Sequence, residues 1–125
     1  MTNYALTQGR GRTKVSLLAN SIGSDLVVFI SNANAHLGAV AVGEYDKEQA
    51  RASVSVITRL GHKDDTIAQK AAHQISKTLH RPVCVIAGIH LDNITRKEIE
   101  KIGQNTDLIV ESFIKSVNPT GKQDK

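Results

Sequence analysis

Two short runs of the chain are apolar at nearly every position, and they limit the fold more than any other feature. Residues 26–30 read LVVFI and residues 83–89 read VCVIAGI. An apolar run of this length between turn signals is typical of a strand that is buried on both faces. Both runs are therefore predicted to be central strands of a β-sheet, around which the rest of the chain has to pack.

Three further segments have the spacing or the composition of strands. Residues 14–19 and 53–59 alternate apolar and polar side chains, so each would turn one face toward a core. Residues 37–43 (LGAVAVG) carry small side chains that allow another backbone or a ligand to approach closely. Together with the two apolar runs, these segments predict a sheet of about five to six strands.

Residues 64–79 have the spacing of an amphipathic helix. Their large and small apolar side chains recur four residues apart and form one stripe, made of Ile67, Ala71, Ile75 and Leu79. The residue before a proline disfavours helical geometry, so this helix is predicted to end before Pro82.

A second helix has a strong start signal. Thr95 and Glu98 have the three-residue spacing of a capping box, in which each side chain bonds the backbone N–H of the other residue. Residues 103–105 (GQN) are expected to break or kink this helix. Residues 107–117 are then expected to form a last helical segment.

The order of these elements predicts an α+β fold. We expect a two-layer sandwich, with a mostly antiparallel sheet of about five to six strands and two to three helices on one face. The strand–helix–strand order of residues 53–89 predicts one parallel pair with a right-handed crossover. The other sheet face has no helix left to cover it, which favours a homodimer. Residues 1–118 are expected to form a single domain, followed by a disordered tail at 119–125.

Charge and composition narrow the class of protein. The net charge is +4, and aromatic residues make up only 3% of the chain, which weakens any role in stacking single-stranded nucleic acid. The densest basic run, residues 10–14 (RGRTK), fits a solvated strand edge as well as a phosphate contact. No nucleic-acid partner is therefore predicted.

The single cysteine and the N-terminus bear on the compartment. Cys84 lies within an apolar run, where a thiol is usually an inert part of the core, and it has no second cysteine to pair with. The first residues lack the pattern of a signal peptide, and no apolar run approaches transmembrane length. These features predict a cytoplasmic protein with no membrane partner.

Three segments share one design, a histidine beside or near a glycine where a strand begins or ends. They read AHLG at residues 35–38, GHKDD at 61–65 and GIHLD at 88–92. If the fold brings them to one edge of the sheet, they form a site. The chain contains no nucleophile elbow and no cysteine–histidine arrangement in a polar context, so the expected use is holding an anionic ligand rather than catalysis.

The middle segment lies between a strand and the predicted start of a helix. Backbone N–H groups and the helix dipole favour an anion there, Gly61 permits a tight turn, and His62 and Lys63 add donors. A second interpretation stays open, because Asp64 and Asp65 can cap the helix themselves and repel an anion.

The other two segments supply further candidate residues. His90 and Asp92 follow a central strand and have the spacing of an oriented imidazole–carboxylate pair. His36 opens a strand in the first segment. Together with His62, these histidines can also be interpreted as a three-histidine metal site, although they lack the close spacing of a helical zinc motif.

In order and spacing, these residues resemble a known family. The segments HLGAVA at 36–41, SVSVITRLGHKDD at 53–65 and AGIHLD at 87–92 are similar to those of the prenylated-flavin chaperone-like proteins. That family includes the small accessory protein associated with gallate decarboxylase, and it is grouped by fold with proteasome assembly chaperones. The resemblance extends over residues 15–114; Leu37 departs from it mildly, because most members have a β-branched residue there.

The resemblance implies a protein that binds prenylated FMN, or FMN itself, and has no activity of its own. It would take this cofactor from a flavin prenyltransferase and deliver it to an apo aromatic-acid decarboxylase. By position, the phosphate end would be held by Gly61, His62 and Lys63. The rest of the pocket would be formed by His36, Gly38, Gly88, His90 and Asp92, with the two glycines admitting the flat ring. The alternatives are a structural accessory subunit of the decarboxylase without cofactor, or a histidine-based metal-dependent enzyme.

Overall fold

The computed structural model describes residues 3–59 and 64–119. Its strands are β1 (Asn3–Gln8), β2 (Val15–Ile22), β3 (Asp25–Ser31), β4 (Ala39–Asp46), β5 (Arg51–Thr58) and β6 (Val83–Gly88). Its helices are α1 (Asp65–Leu79) and α2 (Arg96–Val117), and a short 3-10 turn (Gly11–Thr13) joins β1 to β2. Neither helix in these ranges is long and apolar enough to cross a membrane. The tail predicted for residues 119–125 lies outside the described residues, except for residue 119.

The six strands form one sheet in the order β1-β2-β3-β6-β4-β5. All neighbouring pairs are antiparallel except β3 and β6, which are parallel. The two apolar runs, β3 and β6, lie side by side at the centre, and the predicted α+β class is confirmed. One parallel pair is present, as predicted, but it is formed by other strands. The strand–helix–strand unit of β5, α1 and β6 predicted that β5 pairs with β6, whereas β4 lies between these two strands and β6 pairs in parallel with β3.

Helices α1 and α2 cover one face of the sheet and form the core with it. Alternate residues of the central strands are buried there, and they meet Ala72, Ile75 and Leu79 of α1 and Ile109 and Phe113 of α2. Because the chain has few aromatic residues, aliphatic side chains fill most of this core. The ring of Phe113 packs edge-on against Tyr4 of β1, with ring centroids 5.3 Å apart.

The helix predictions are confirmed with one correction. Helix α1 begins at Asp65 and ends at Leu79, and the predicted capping box of Thr95 and Glu98 begins α2. The predicted break at residues 103–105 is wrong, since α2 continues through them. Asn105 is buried and donates a hydrogen bond of 2.9 Å to the carbonyl of Thr13. This bond holds the middle of α2 against the 3-10 turn between β1 and β2.

The opposite face of the sheet, called the open face below, carries no helix from the described ranges. Strand register aligns a row of apolar side chains across it, in the order Leu18, Phe29, Ile86, Val40 and Ile57. Leu18 and Ile57 are exposed, and the other three are half-buried. A neighbouring row holds Val27, Cys84 and Val42. The open face is thus an apolar surface that the described chain leaves uncovered.

Candidate ligand-binding site at one edge of the sheet

The parallel pairing of β3 and β6 sets the position of the site. Ser31 pairs with Gly88, so the two strands end together, and β4 begins beside them where Ala39 pairs with Ala87. The carboxyl ends of parallel strands are a common place for ligands. Of the three histidine–glycine segments, the first and the third therefore meet at this edge. Gly61, His62 and Lys63 of the middle segment lie outside the described residues.

Asp64 connects the start of α1 to this edge. Its side chain is only 8% exposed, and its Oδ2 atom lies 3.3 Å from Nε2 of His36. Its other oxygen, Oδ1, accepts a hydrogen bond of 3.2 Å from the backbone N–H of Ile89. Asp64 occupies the N-cap position of α1 but makes no capping bond with its side chain to the described helix. The interpretation of Asp64 as a simple cap is therefore wrong, because its carboxylate bridges two strand ends instead.

His90 and Asp92 form the second imidazole–carboxylate pair that their spacing suggests. Nε2 of His90 lies 3.0 Å from Oδ1 of Asp92, and the two side chains are 57% and 84% exposed. The rings of His36 and His90 meet edge to face, with centroids 6.1 Å apart and an interplanar angle of 85°. We call the four side chains His36, Asp64, His90 and Asp92 the histidine cluster. It places two imidazoles and two carboxylates at one sheet edge.

Asn32 and Asn34 hold the third segment in place, and the sequence did not single them out. The amide of Asn32 donates a hydrogen bond of 2.8 Å to the carbonyl of His90 and accepts one of 3.2 Å from the N–H of His90. The amide of Asn34 donates to the same carbonyl over 3.2 Å. The backbone of His90 is thus fixed by two side chains that follow the end of β3. In the sequence, the signal for this role was an asparagine directly after a buried strand.

Gly38 and Gly88 have a different role from admitting a flat ring. A Cβ atom at Gly88 would overlap the backbone carbonyl of His36, and one at Gly38 would overlap the carboxylate of Asp64. The space over both glycines is therefore filled by the chain itself. The missing side chains allow the first segment and Asp64 to pack tightly against the ends of β4 and β6.

Comparison with known proteins identifies the family of the chain. The family model of the prenylated flavin chaperone LpdD-like domain matches residues 9–118. The chain belongs to this family. The match includes all four residues of the histidine cluster, both helices and every strand except β1. No curated protein matches the chain.

A solved structure supports the fold assignment for this LpdD-like chain. It is similar to a chain in the crystal structure of a chaperone complex for yeast 20S proteasome assembly, with a TM-score of 0.62. The match covers 94% of this chain and 95% of that chain, at 16% sequence identity. At this identity the similarity concerns the fold alone, and it confirms the expected kinship of fold with proteasome assembly chaperones.

The cluster of this LpdD-like protein offers hydrogen bonding and charge. Its imidazoles can donate or accept, and its carboxylates can accept, which suits a polar heterocycle. Cys84 lies on the open face, and burial raises the pKa of its thiol, so the thiolate that a nucleophile requires is disfavoured. Within residues 3–59 and 64–119, no three histidine, cysteine or acidic side chains are grouped so that they could hold a metal ion.

An ion pair fastens the cluster to α2. The guanidinium of Arg12 donates to Oε2 of Glu98 over 2.7 Å and to the backbone carbonyl of Asp92 over 2.7 Å. The hydrogen bond from Arg12, with that from the backbone N–H of Thr95, lowers the pKa of Glu98 to about 2. Glu98 of the α2 capping box and the segment that bears His90 are thus joined through one arginine.

Proposed function

We propose that this protein binds prenylated FMN, or FMN itself, and delivers it to an apo aromatic-acid decarboxylase without catalysing a reaction. The supplier would be a flavin prenyltransferase, and the compartment would be the cytoplasm. The observation that carries the proposal is the histidine cluster, which is set at the ends of the two central strands in a chain of the prenylated flavin chaperone family. A flavin ring presents both hydrogen-bond donors and acceptors, and the cluster offers both in return.

The exposure of the cluster side chains suggests which of them contact the flavin ring. His90 and Asp92 are open to solvent, so their polar atoms are available to the ring. His36 stands behind them and faces His90, where it supports the exposed ring and lines the inner wall of the site. Gly38 and Gly88 support this wall by close packing. Gly61, His62 and Lys63, which precede α1, are predicted to complete the site.

The test is co-expression with a flavin prenyltransferase, anaerobic purification and a visible absorption spectrum. We expect a bound flavin chromophore in the wild-type protein and its loss in His90→Ala. His73→Ala is a matched control, because His73 is an exposed histidine on α1. A colourless wild-type protein that also fails to bind added reduced cofactor would contradict the proposal. Co-purification with the decarboxylase in that case would favour a structural accessory subunit.

We also propose that a second copy of the chain covers the open face. Its apolar rows are framed by polar residues of β2, β4 and β5, namely Asn20, Glu44, Ser53 and Ser55. An apolar centre with a polar rim is the usual anatomy of a protein interface, and a face that meets its own copy forms a two-fold dimer.

Sedimentation at micromolar concentration tests this pairing. We expect twice the mass of the chain for the wild type and the mass of one chain for Ile57→Lys, which places a charge in the apolar row. Ile99→Lys is the matched control, because Ile99 is exposed on α2 rather than on the sheet. A wild-type protein with the mass of one chain would contradict the dimer.

A further inference from the structure

A recess lies beside the histidine cluster at the same edge of the sheet, and the proposed contacts do not use it. We call it the basic recess. Its lining residues come from the 3-10 turn, the start of β2, the loop after β3 and the segment after β6; they are Gly11, Arg12, Lys14, Ser16, Asn32, Ala33, Asn34 and Leu91. Its volume is about 560 Å³, within the roughly 300–1,000 Å³ of small-molecule sites.

The charge of the basic recess favours an anion. Lys14 and Arg12 line it, and the described lining residues include no acidic side chain. Arg12 forms an ion pair with Glu98, but its guanidinium has five N–H groups, and the contacts with Glu98 and Asp92 engage only some of them. Those contacts also hold the guanidinium in place, so little side-chain entropy is lost when it binds. Lys14 makes the charge of the recess net positive.

Neutral donors complete the lining. Ser16, Asn32 and Asn34, which carry a hydroxyl and two amides, line the recess together with the two cations. Both asparagines bond the backbone carbonyl of His90, which makes the wall of the recess rigid. Cations with converging neutral donors on a rigid wall are a typical setting for phosphate, which accepts several hydrogen bonds at once.

The basic recess and the histidine cluster are neighbours, joined through residues next to or bonded to His90. His90 belongs to the cluster, and the next residue, Leu91, lines the recess. Asn32 and Asn34 contact His90 from the recess side. One ligand with a polar ring and a phosphate arm can therefore occupy both places.

We infer that the basic recess is the phosphate subsite of the ligand whose ring contacts the histidine cluster. Lys14 and Arg12 bind the phosphate oxygens, and Ser16 and Asn34 add neutral hydrogen bonds. This inference rests on the proposed function, because it locates the phosphate of the same flavin. The start of α1, where the family resemblance placed that group, bears the carboxylates of Asp64 and Asp65, and these oppose an anion.

A comparison of FMN with riboflavin isolates the phosphate, since the two ligands differ only in that group. Titrations followed by fluorescence should show FMN binding at least roughly tenfold more tightly than riboflavin, as expected for charge-assisted hydrogen bonds. Lys14→Gln should remove most of this ratio. The ratio should fall less in the double variant His62→Ala with Lys63→Ala than in Lys14→Gln. It should persist in Lys47→Gln, an exposed lysine between β4 and β5 at the opposite end of the sheet.

A second probe, inorganic phosphate, separates this inference from the proposed function. In a ¹⁵N-resolved NMR titration, phosphate should shift the amide signals of residues 11–16 and 32–34, and Lys14→Gln should weaken these shifts. If phosphate does so while neither flavin binds, the subsite stands and the flavin function fails. If FMN binds but its ratio to riboflavin is unchanged in Lys14→Gln, or the ratio falls as much or more in the His62 and Lys63 variant, the subsite is overturned and the flavin function stands. If neither flavin binds and phosphate shifts none of these signals, both are overturned.

Discussion

The two histidine–aspartate pairs of the site have similar geometry and different surroundings. His36 and Asp64 lie 3.3 Å apart with the carboxylate buried, whereas His90 and Asp92 lie 3.0 Å apart with both side chains exposed. An exposed ion pair contributes little to stability, because water and salt screen it. A buried carboxylate that also accepts a backbone hydrogen bond contributes far more. The inner pair therefore holds the strand ends together, whereas the outer pair is exposed to solvent.

The largest expected effect comes from filling the space behind the inner pair. Gly88→Ala would bring a methyl group onto the carbonyl of His36, and the backbone there cannot yield as a flexible side chain can. We expect a loss of about 3 kcal/mol in the free energy of unfolding. Urea denaturation measures it, with Gly103→Ala as the control. A Cβ at Gly103 meets no atom within 4 Å, so this helical substitution should stabilise by about 0.5–1 kcal/mol.

Equal changes in stability from the two glycine substitutions would show that the backbone of His36 does not pack against Gly88 of β6. The inner pair would then lose its backbone support, and the distinction between the two pairs would rest on the burial of Asp64 alone.

A direct comparison of the two carboxylates should give the next largest difference. Asp64→Ala removes the partner of His36 and the acceptor of the Ile89 N–H, so we expect a loss of about 2 kcal/mol. Asp92→Ala removes one exposed contact, so we expect a change of less than about 0.5 kcal/mol. Urea denaturation of both variants under one set of conditions is the measurement. Similar losses of stability in the two variants would show that the buried pair does not stabilise the fold more than the exposed pair.

Much of the fold could be predicted from local pattern. The apolar runs of β3 and β6, the stripe of α1 and the capping box of α2 each depend on residues close in sequence. The pairing of β6 with β3 could not be predicted, because it joins strands that are more than 50 residues apart. Strand β1 was missed as well. It is an edge strand whose Tyr4 and Leu6 are only half-buried, so its apolar signal is weak.

At the candidate site, the sequence predicted which residues lie close together better than the contacts that they make. His36 meets His90 and Asp92 because β4 begins beside the end of β6, as the sequence allowed but did not require. Asp64 was interpreted as a helix cap, since its position before α1 gives that signal and no local pattern announces a bridge to Ile89. Asn32 and Asn34 were missed because asparagines in loops are common, and their bonds to His90 span 58 and 56 positions of sequence.

The smallest expected effect concerns the contact that fastens the outer pair to α2. The pKa of Glu98 is about 2 in the folded chain, below its ordinary value of 4.5, and the hydrogen bond from Arg12 is the main cause. The stabilisation from the ionised group is therefore complete above pH 4.5 and is lost as the pH falls toward 2. Glu98→Gln keeps the capping geometry of α2 but cannot ionise. The urea midpoint should thus fall less between pH 6 and pH 3 in Glu98→Gln than in the wild type. Equal falls would show that the Arg12 contact does not persist in solution, and the backbone of Asp92 would then lack its link to α2.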